Sequence, residues 1–201
     1  MKQSVAEAYG TFFLVFAVGA AGAQFGHSAA VAVAAAFALI AGGYAFGHVS
    51  GGHFNPIVTL AFQLAGRFKG DLLSYWAGQL AGAIVAAVVL RLTMPTGASE
   101  AVAIGGGFWD ELFGSALFLL LAIGATAQAA REDFAPLAVG LAFGAMALAV
   151  GPGAGGALNP ALATALVLGT GPDGPALWVG WLAPLIAVPV AVALWRVVRP
   201  S

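Results

Sequence analysis

The sequence predicts an all-α membrane protein, with six transmembrane helices plus two re-entrant half-helices arranged as an inverted 3+3 repeat. Three observations predict it. Of the 201 residues, 61% are hydrophobic and only 7% are charged, where a soluble domain carries about 25% charge. The few charges fall at intervals that fit one or two bilayer crossings. A Gly-Gly-x-x-Asn-Pro stretch occurs twice, at a fixed spacing. The same composition excludes a water-soluble enzyme and a disordered chain. The absence of cysteine excludes a disulfide scaffold and a cysteine-ligated metal site. A net charge of −1 gives no basic field for nucleic acid.

The charge gaps place the spans. Nineteen uncharged residues separate Asp71 from Arg91, nineteen separate Glu111 from Arg131, and 22 separate Asp173 from Arg196. A crossing needs about 20 apolar residues, so each gap is one span, placed at Leu72–Leu90, Glu111–Ala129 and Leu177–Trp195. The 59 uncharged residues between Glu7 and Arg67 hold two, Val5–Ala21 and Ala29–Phe46, and leave Gly47–Gly66 over. The 39 between Asp133 and Asp173 hold Pro136–Val150 and leave Gly151–Leu168. Glu7 interrupts the first apolar run, so the N-terminal segment reads as a span and not as a signal peptide. The whole chain, 1–201, forms one membrane domain. With six crossings, Lys2, Arg67, Lys69, Arg131, Arg196 and Arg199 share one face, and Arg91 alone lies on the other. The positive-inside rule then puts both termini in the cytoplasm.

The two leftover segments match each other. Asn55 and Asn159 lie 104 positions apart, and the same offset relates Glu7 to Glu111, Gly10 to Gly114, Thr11 to Ser115, and Gly51-Gly52 to Gly155-Gly156. The repeats cover about 4–90 and 108–194. Three spans per repeat is an odd number, so the halves insert with opposite orientation, as in channels and transporters. Each leftover reads as a Gly-rich stretch, an asparagine suited to the N-cap, a proline suited to the first helical turn, and a short apolar helix. A helix from Asn55 to Gly66 runs about 17 Å, roughly half the hydrocarbon thickness. The two half-helices are expected to enter from opposite faces and meet N-terminus to N-terminus. Irregular backbone at that depth must be buried in protein or line a cavity. The bland alternative, two capped surface loops with Asn-Pro as turn punctuation, does not explain two copies at one offset.

These residues resemble the aquaporin family (major intrinsic proteins) over nearly the whole chain. G-H-V-S-G-G-H-F-N-P-I-V-T looks like the family's first loop and half-helix, and A-E-A-Y-G-T-F like the start of its first span. Y-W-A-G-Q-L-A-G-A-I-V-A, with Gln79, resembles the third span, and W-V-G-W-L-A-P-L-I the sixth. The resemblance implies that Asn55-Pro56-Ile57 and Asn159-Pro160-Ala161 form the pore centre, with the asparagine N–H groups donating to a passing solute. It implies that carbonyls of Gly51, Gly52 and His53 line one half-pore, and those of Gly155, Gly156 and Ala157 the other. Both half-helix dipoles direct positive ends to the centre, opposing cations and protons. Glu7 and Glu111 are expected inside the bundle, holding the loops; the alternative is that each merely marks a span's start. His27 is expected in a solvated loop, and His48 is read as a packing and loop-bonding residue near the cytoplasmic vestibule. His48 and His53 are too few for a metal site, and the reading includes no cofactor.

The sequence departs from the family at one telling place. The family's second motif continues with arginine, whereas Leu162 stands there in this chain. Carried over by spacing, the other outer-filter positions fall on Ala35, Ala147 and Gly156, with Phe37 near enough to intrude if its helix is rotated. A filter of small and aliphatic side chains lacks both the donors and the charge of an arginine. Ile57, where alanine is usual, adds bulk beside the asparagines.

These features predict a passive channel for small uncharged solutes, and the resemblance to arginine-lacking prokaryotic members of the family implies glycerol-like polyols and neutral metalloid hydroxides such as arsenite, or methylated arsenicals, with water as well. A water-selective aquaporin is the alternative. A coupled secondary transporter belongs to another class and needs coupling-ion ligands beyond Glu7 and Glu111. A structural, non-conducting membrane protein packed through small residues is a third reading. No nucleophile–base arrangement suggests an enzyme. The resemblance further implies a homotetramer in the inner membrane of a prokaryote, with lipid and permeant solutes as its partners.

Overall fold

The structure is a computed structural model that describes residues 1–26, 29–94, 107–127, 132–154, 157–170 and 177–199. Among them are eight α-helices and no strand. Six are long: α1 (Lys2–Phe25), α2 (Ala29–Ser50), α4 (Leu72–Thr93), α5 (Phe108–Ala125), α6 (Ala135–Ala154) and α8 (Leu177–Val198). Two are short, α3 (Pro56–Leu64) and α7 (Pro160–Thr170), and a single 3₁₀ turn, Glu132–Phe134, precedes α6. Helices α1, α2, α4, α5 and α8 are each long and apolar enough to cross a membrane. Their outward residues are apolar: Leu73, Leu92 and Trp109 are all more than 60% exposed, while Glu7, Gln79, Glu111 and Asn159 are fully buried. This inversion of a soluble protein's distribution fits hydrocarbon outside and polar bonding inside.

Each short helix begins as its sequence suggests. Asn55 caps α3, its side chain accepting from Ile57 N at 3.1 Å, and Asn159 Oδ1 accepts from Ala161 N at 2.9 Å at the start of α7. Proline follows in both cases, at a position whose N–H has no helical partner. Several boundaries differ from expectation. The span expected at Glu111–Ala129 begins earlier, at Phe108, and ends at Ala125; the acidic Asp110 and Glu111 occupy its first turn, where the positive helix end favours them. The stretch from Gly47 is not loop at its start, because α2 continues through Ser50. Likewise α6 runs on to Ala154. Pro184 and Pro189 lie inside α8, as membrane helices tolerate when neighbours satisfy the freed carbonyls.

The packing recurs in the two halves. Helix α1 lies against α2 and α4, and α5 lies against α6 and α8, while α2 meets α6 between them. Half-helix α3 packs on α8, and α7 packs on α4, so each rests on the last long helix of the other half. Small residues set the close approaches. A Cβ on Gly78 or Gly82 would run into the backbone carbonyls of Ser4 and Ala8 on α1, and one on Gly140 into Ala36 and Ile40 on α2. The Ser4 and Ser74 hydroxyls bond across the same α1–α4 seam.

Backbone cannot give way as a flexible side chain can, so overpacking at Gly82 is expensive. Gly82→Val is expected to destabilise the detergent-solubilised protein by about 1–3 kcal/mol or more. Gly47→Ala, with nothing within 4 Å of the added Cβ, should be neutral or slightly stabilising, since alanine is the better helix former. Thermal unfolding of the two variants reads the difference.

Candidate functional site

The residue before each asparagine has an unusual backbone. Phe54 has φ 48° and Leu158 has φ 44°, the left-handed region that non-glycine residues seldom occupy and that costs on the order of 1–3 kcal/mol. Two bonds hold each of them there. Phe54 N donates to Glu7 Oε2 at 2.6 Å, and its carbonyl accepts from Asn159 Nδ2 at 2.9 Å. Leu158 N donates to Glu111 Oε2 at 3.1 Å, and its carbonyl accepts from Asn55 Nδ2 at 2.9 Å. Each asparagine thus caps its own half-helix with Oδ1 and grips the opposite loop with Nδ2. This fixes the amide orientation, because only Oδ1 can accept from a backbone N–H. One N–H of each amide remains beyond that bond.

The glycine pair at offset 104 now has a reason. A Cβ at Gly10 would land on the Phe54 ring, and one at Gly114 would come within 2.8 Å of Leu158 Cδ2. Both glycines clear room for the side chains of the strained residues. Gly51 and Gly52 have φ 93° and 67°, which lets the chain leave α2 and turn into the asparagine.

Among the described residues the two carboxylates are served unequally. Glu7 accepts from His53 N at 3.0 Å, Phe54 N, Ser50 Oγ at 2.6 Å and Gln79 Nε2 at 2.7 Å. Glu111 accepts from Ala157 N at 2.8 Å and Leu158 N. Ala154 and Ala183 stand at the repeat positions of Ser50 and Gln79, so no side-chain donor is available from either. Gln79 also donates to Thr59 Oγ1 at 3.0 Å, and Thr59 donates to Asn55 O at 3.2 Å. Thr59 has no second proton, so the His53 Nδ1 that lies 3.1 Å from it must carry one. The His53 ring sits among Phe62, Phe68 and Tyr75. Trp76 Nε1 donates to Pro56 O at 3.0 Å; in the other half Trp181 Nε1 reaches Pro160 O by way of Thr164 Oγ1.

Two adjoining cavities open on the face that holds Gln3, Arg67 and Lys69. One, of about 620 Å³, is lined by Gly51, Gly52, Val58 and Phe62 among others; the second, of about 480 Å³, is lined by His53 and Tyr75. His48 lines both and is exposed on the last turn of α2. It is a wall of both cavities and not the packing residue expected, because α2 presents it to them and not to the core. Ala35 and Leu162 are buried at 2% exposure, and the half-buried Ala147 packs against the same apolar cluster. Phe37 is 64% exposed, so it points outward from α2 and does not intrude. Ile57 is fully buried in the core, which absorbs its extra bulk. Gly155, Gly156 and His27 lie outside the described residues. Sequence reasoning missed Phe54, Leu158 and Ser50. The first two were signalled only by their place before each asparagine.

The family model described as "Major intrinsic protein" matches residues 1–195. The chain is 31% identical to Aquaporin Z of Brucella melitensis, over 98% of this chain and 97% of that protein. It is 37% identical to Aquaporin Z of Bradyrhizobium diazoefficiens, over 98% and 92%. Among solved structures, the aquaglyceroporin from Plasmodium falciparum superposes with a TM-score of 0.82 at 21% identity, covering 98% of this chain and 96% of that one. The chain therefore belongs to the major intrinsic protein family, whose members are channels and not enzymes.

Replacing a carboxylate by an amide puts an NH₂ where an acceptor stood. Glu7→Gln leaves at least one of four donors unsatisfied, at about 1–3 kcal/mol for each buried group. Glu111→Gln leaves one of its two donors among the described residues, Ala157 N or Leu158 N, facing the new NH₂. The expected order of thermal midpoints in detergent is parent, then Glu111→Gln, then Glu7→Gln.

Proposed function

We propose that the protein is a passive channel for small uncharged solutes, gated for size by a wide apolar outer filter and barred to cations at its centre. The observation that carries this reading is the reciprocal pair Asn55 Nδ2–Leu158 O and Asn159 Nδ2–Phe54 O. It sets two amide donors and two positive helix ends about one point. In this reading Asn55, Pro56, Ile57, Asn159, Pro160 and Ala161 form the pore centre, and the repeats 4–90 and 108–194 are related by inversion. The recurrence of the carboxylate, glycine and asparagine contacts in both halves supports that relation. Carbonyls of Gly51, Gly52, His53, Gly155, Gly156 and Ala157 line the two half-pores. Both termini are cytoplasmic, by the distribution of lysine and arginine. Like the family, the protein forms homotetramers with one pore per subunit, and its membrane is the inner membrane of a prokaryote.

The filter reading places Ala35, Ala147, Gly156 and Leu162 at the outer constriction. Leucine there supplies no donor to replace a hydroxylated solute's lost water and no charge. In this reading the width of the opening is set by the small neighbours and not by a set of donors. Polyols of glycerol's size and neutral metalloid hydroxides such as arsenite are the solutes that fit. A second reading, a water-selective pore, is favoured by the two bacterial relatives that are named aquaporins.

Stopped-flow light scattering on proteoliposomes separates the two. The wide-filter channel passes glycerol and arsenite as well as water; the water-selective one passes water alone. Leu162→Arg adds donors and a charge and narrows the opening. Flux of glycerol and arsenite is expected to fall at least several-fold more than flux of water. Equal fluxes through folded parent and variant would remove Leu162 from the filter.

A further inference from the structure

By the distribution of basic residues, Arg91 is the lone positive charge on its face, against six on the other. The structure gives it an occupation. Arg91, near the end of α4, donates from Nη1 to Leu168 O at 3.2 Å, in the last turn of half-helix α7. Arg196, near the end of α8, donates from Nη2 to Leu64 O at 3.3 Å, the last residue of half-helix α3. The acceptors lie 104 positions apart and the arginines 105. The same cap is therefore built twice, each time by the last long helix of one half on the half-helix of the other. Arg67, closer to α3 in sequence, is committed elsewhere: its Nη1 donates to Ile123 O at 2.6 Å and Thr126 Oγ1 at 3.0 Å, at the end of α5.

A helix end carries roughly half a unit of charge, negative at the C-terminus. Half-helices α3 and α7 have 9 and 11 residues, or about 14 and 17 Å. Over so short a helix the negative end opposes a sizeable part of the positive potential at the other end. A guanidinium at the carbonyl end cancels that opposition.

We propose that Arg91 and Arg196 are positioning residues for the pore: each neutralises the negative end of one half-helix, so that its positive end acts on cations at the pore centre unopposed. The inference rests on the reading of that centre as the cation barrier. It also assigns a role to the one basic residue that the positive-inside rule leaves out of place.

The test uses the full-length protein in proteoliposomes, as parent, Arg91→Gln, Arg196→Gln, the double variant, and Arg91→Lys and Arg196→Lys. Neutral-solute flux is followed by light scattering, and monovalent-cation leak by ion-gradient decay. Each Gln variant is expected to leak cations roughly two- to threefold faster at low salt, with the effects multiplying in the double variant. Lysine, which restores the charge, should restore the parent's leak. Both arginines are exposed, so in about 1 M salt the parent should approach the Gln variants. Unchanged leak in Gln variants that still pass neutral solute overturns the inference. So does a loss of neutral-solute flux and leak alike that lysine does not rescue, since that is a merely structural role. A parent that passes no neutral solute instead overturns the channel reading itself.

Discussion

Two peptide units, at Phe54 and Leu158, hold the molecule's centre together. Each sits at a positive φ that its side chain disfavours. Each is fastened on its N–H by a buried glutamate and on its carbonyl by the asparagine of the opposite loop. Neither half can form this arrangement alone, because the carbonyl partner always comes from the other half. The left-handed turn aims each asparagine at the opposite loop. That contact buries the loops, and their burial makes the internal carboxylates necessary, since backbone N–H groups in an apolar bundle have no water to bond.

The unequal service of the two glutamates follows from the same logic. The first loop leaves α2 through Ser50, Gly51 and Gly52 and brings a side-chain hydroxyl with it; Gln79 adds an amide and ties in Thr59 and, through it, the start of α3. In the second half alanines replace both donors, and Glu111 keeps its two backbone partners among the described residues. The conformation at the centre is nonetheless matched, φ 48° against 44°. The backbone bonds and the asparagine grip are thus the shared minimum, and the polar network around Glu7 is an addition to it.

Much of this was legible in the sequence, for a physical reason. Hydrocarbon admits only helices whose charges lie at the ends, so charge spacing alone located α4, α8 and the pairs α1–α2 and α6–α7. The offset of 104 tied Glu7, Gly10 and Asn55 to their counterparts, because each answers a demand the fold makes twice. Boundaries were less legible where glycine misled: Gly47 reads as loop but continues α2, since neighbouring helices stabilise what glycine alone does not. Phe54 and Leu158 were hidden because strain resides in φ and not in residue type. Arg91 and Arg196 were counted only as topology signals, because capping across halves depends on which helix ends meet, and spacing does not reveal that. His48 and Phe37 needed the rotation of α2 about its axis, which an all-round apolar helix does not encode in its pattern.

The central claim is that the facing asparagines and the positive ends of α3 and α7 form one barrier to cations. The most direct measurement is cation conductance through Asn55→Asp and Asn159→Asp in bilayers, with neutral-solute flux followed on the same folded proteins. A carboxylate at the meeting point of two positive ends offsets their potential, and it also gives up the Nδ2 bond to the opposite loop's carbonyl. The account predicts that both variants gain monovalent-cation conductance over the parent while still passing neutral solute. Folded variants with the parent's cation conductance would contradict it.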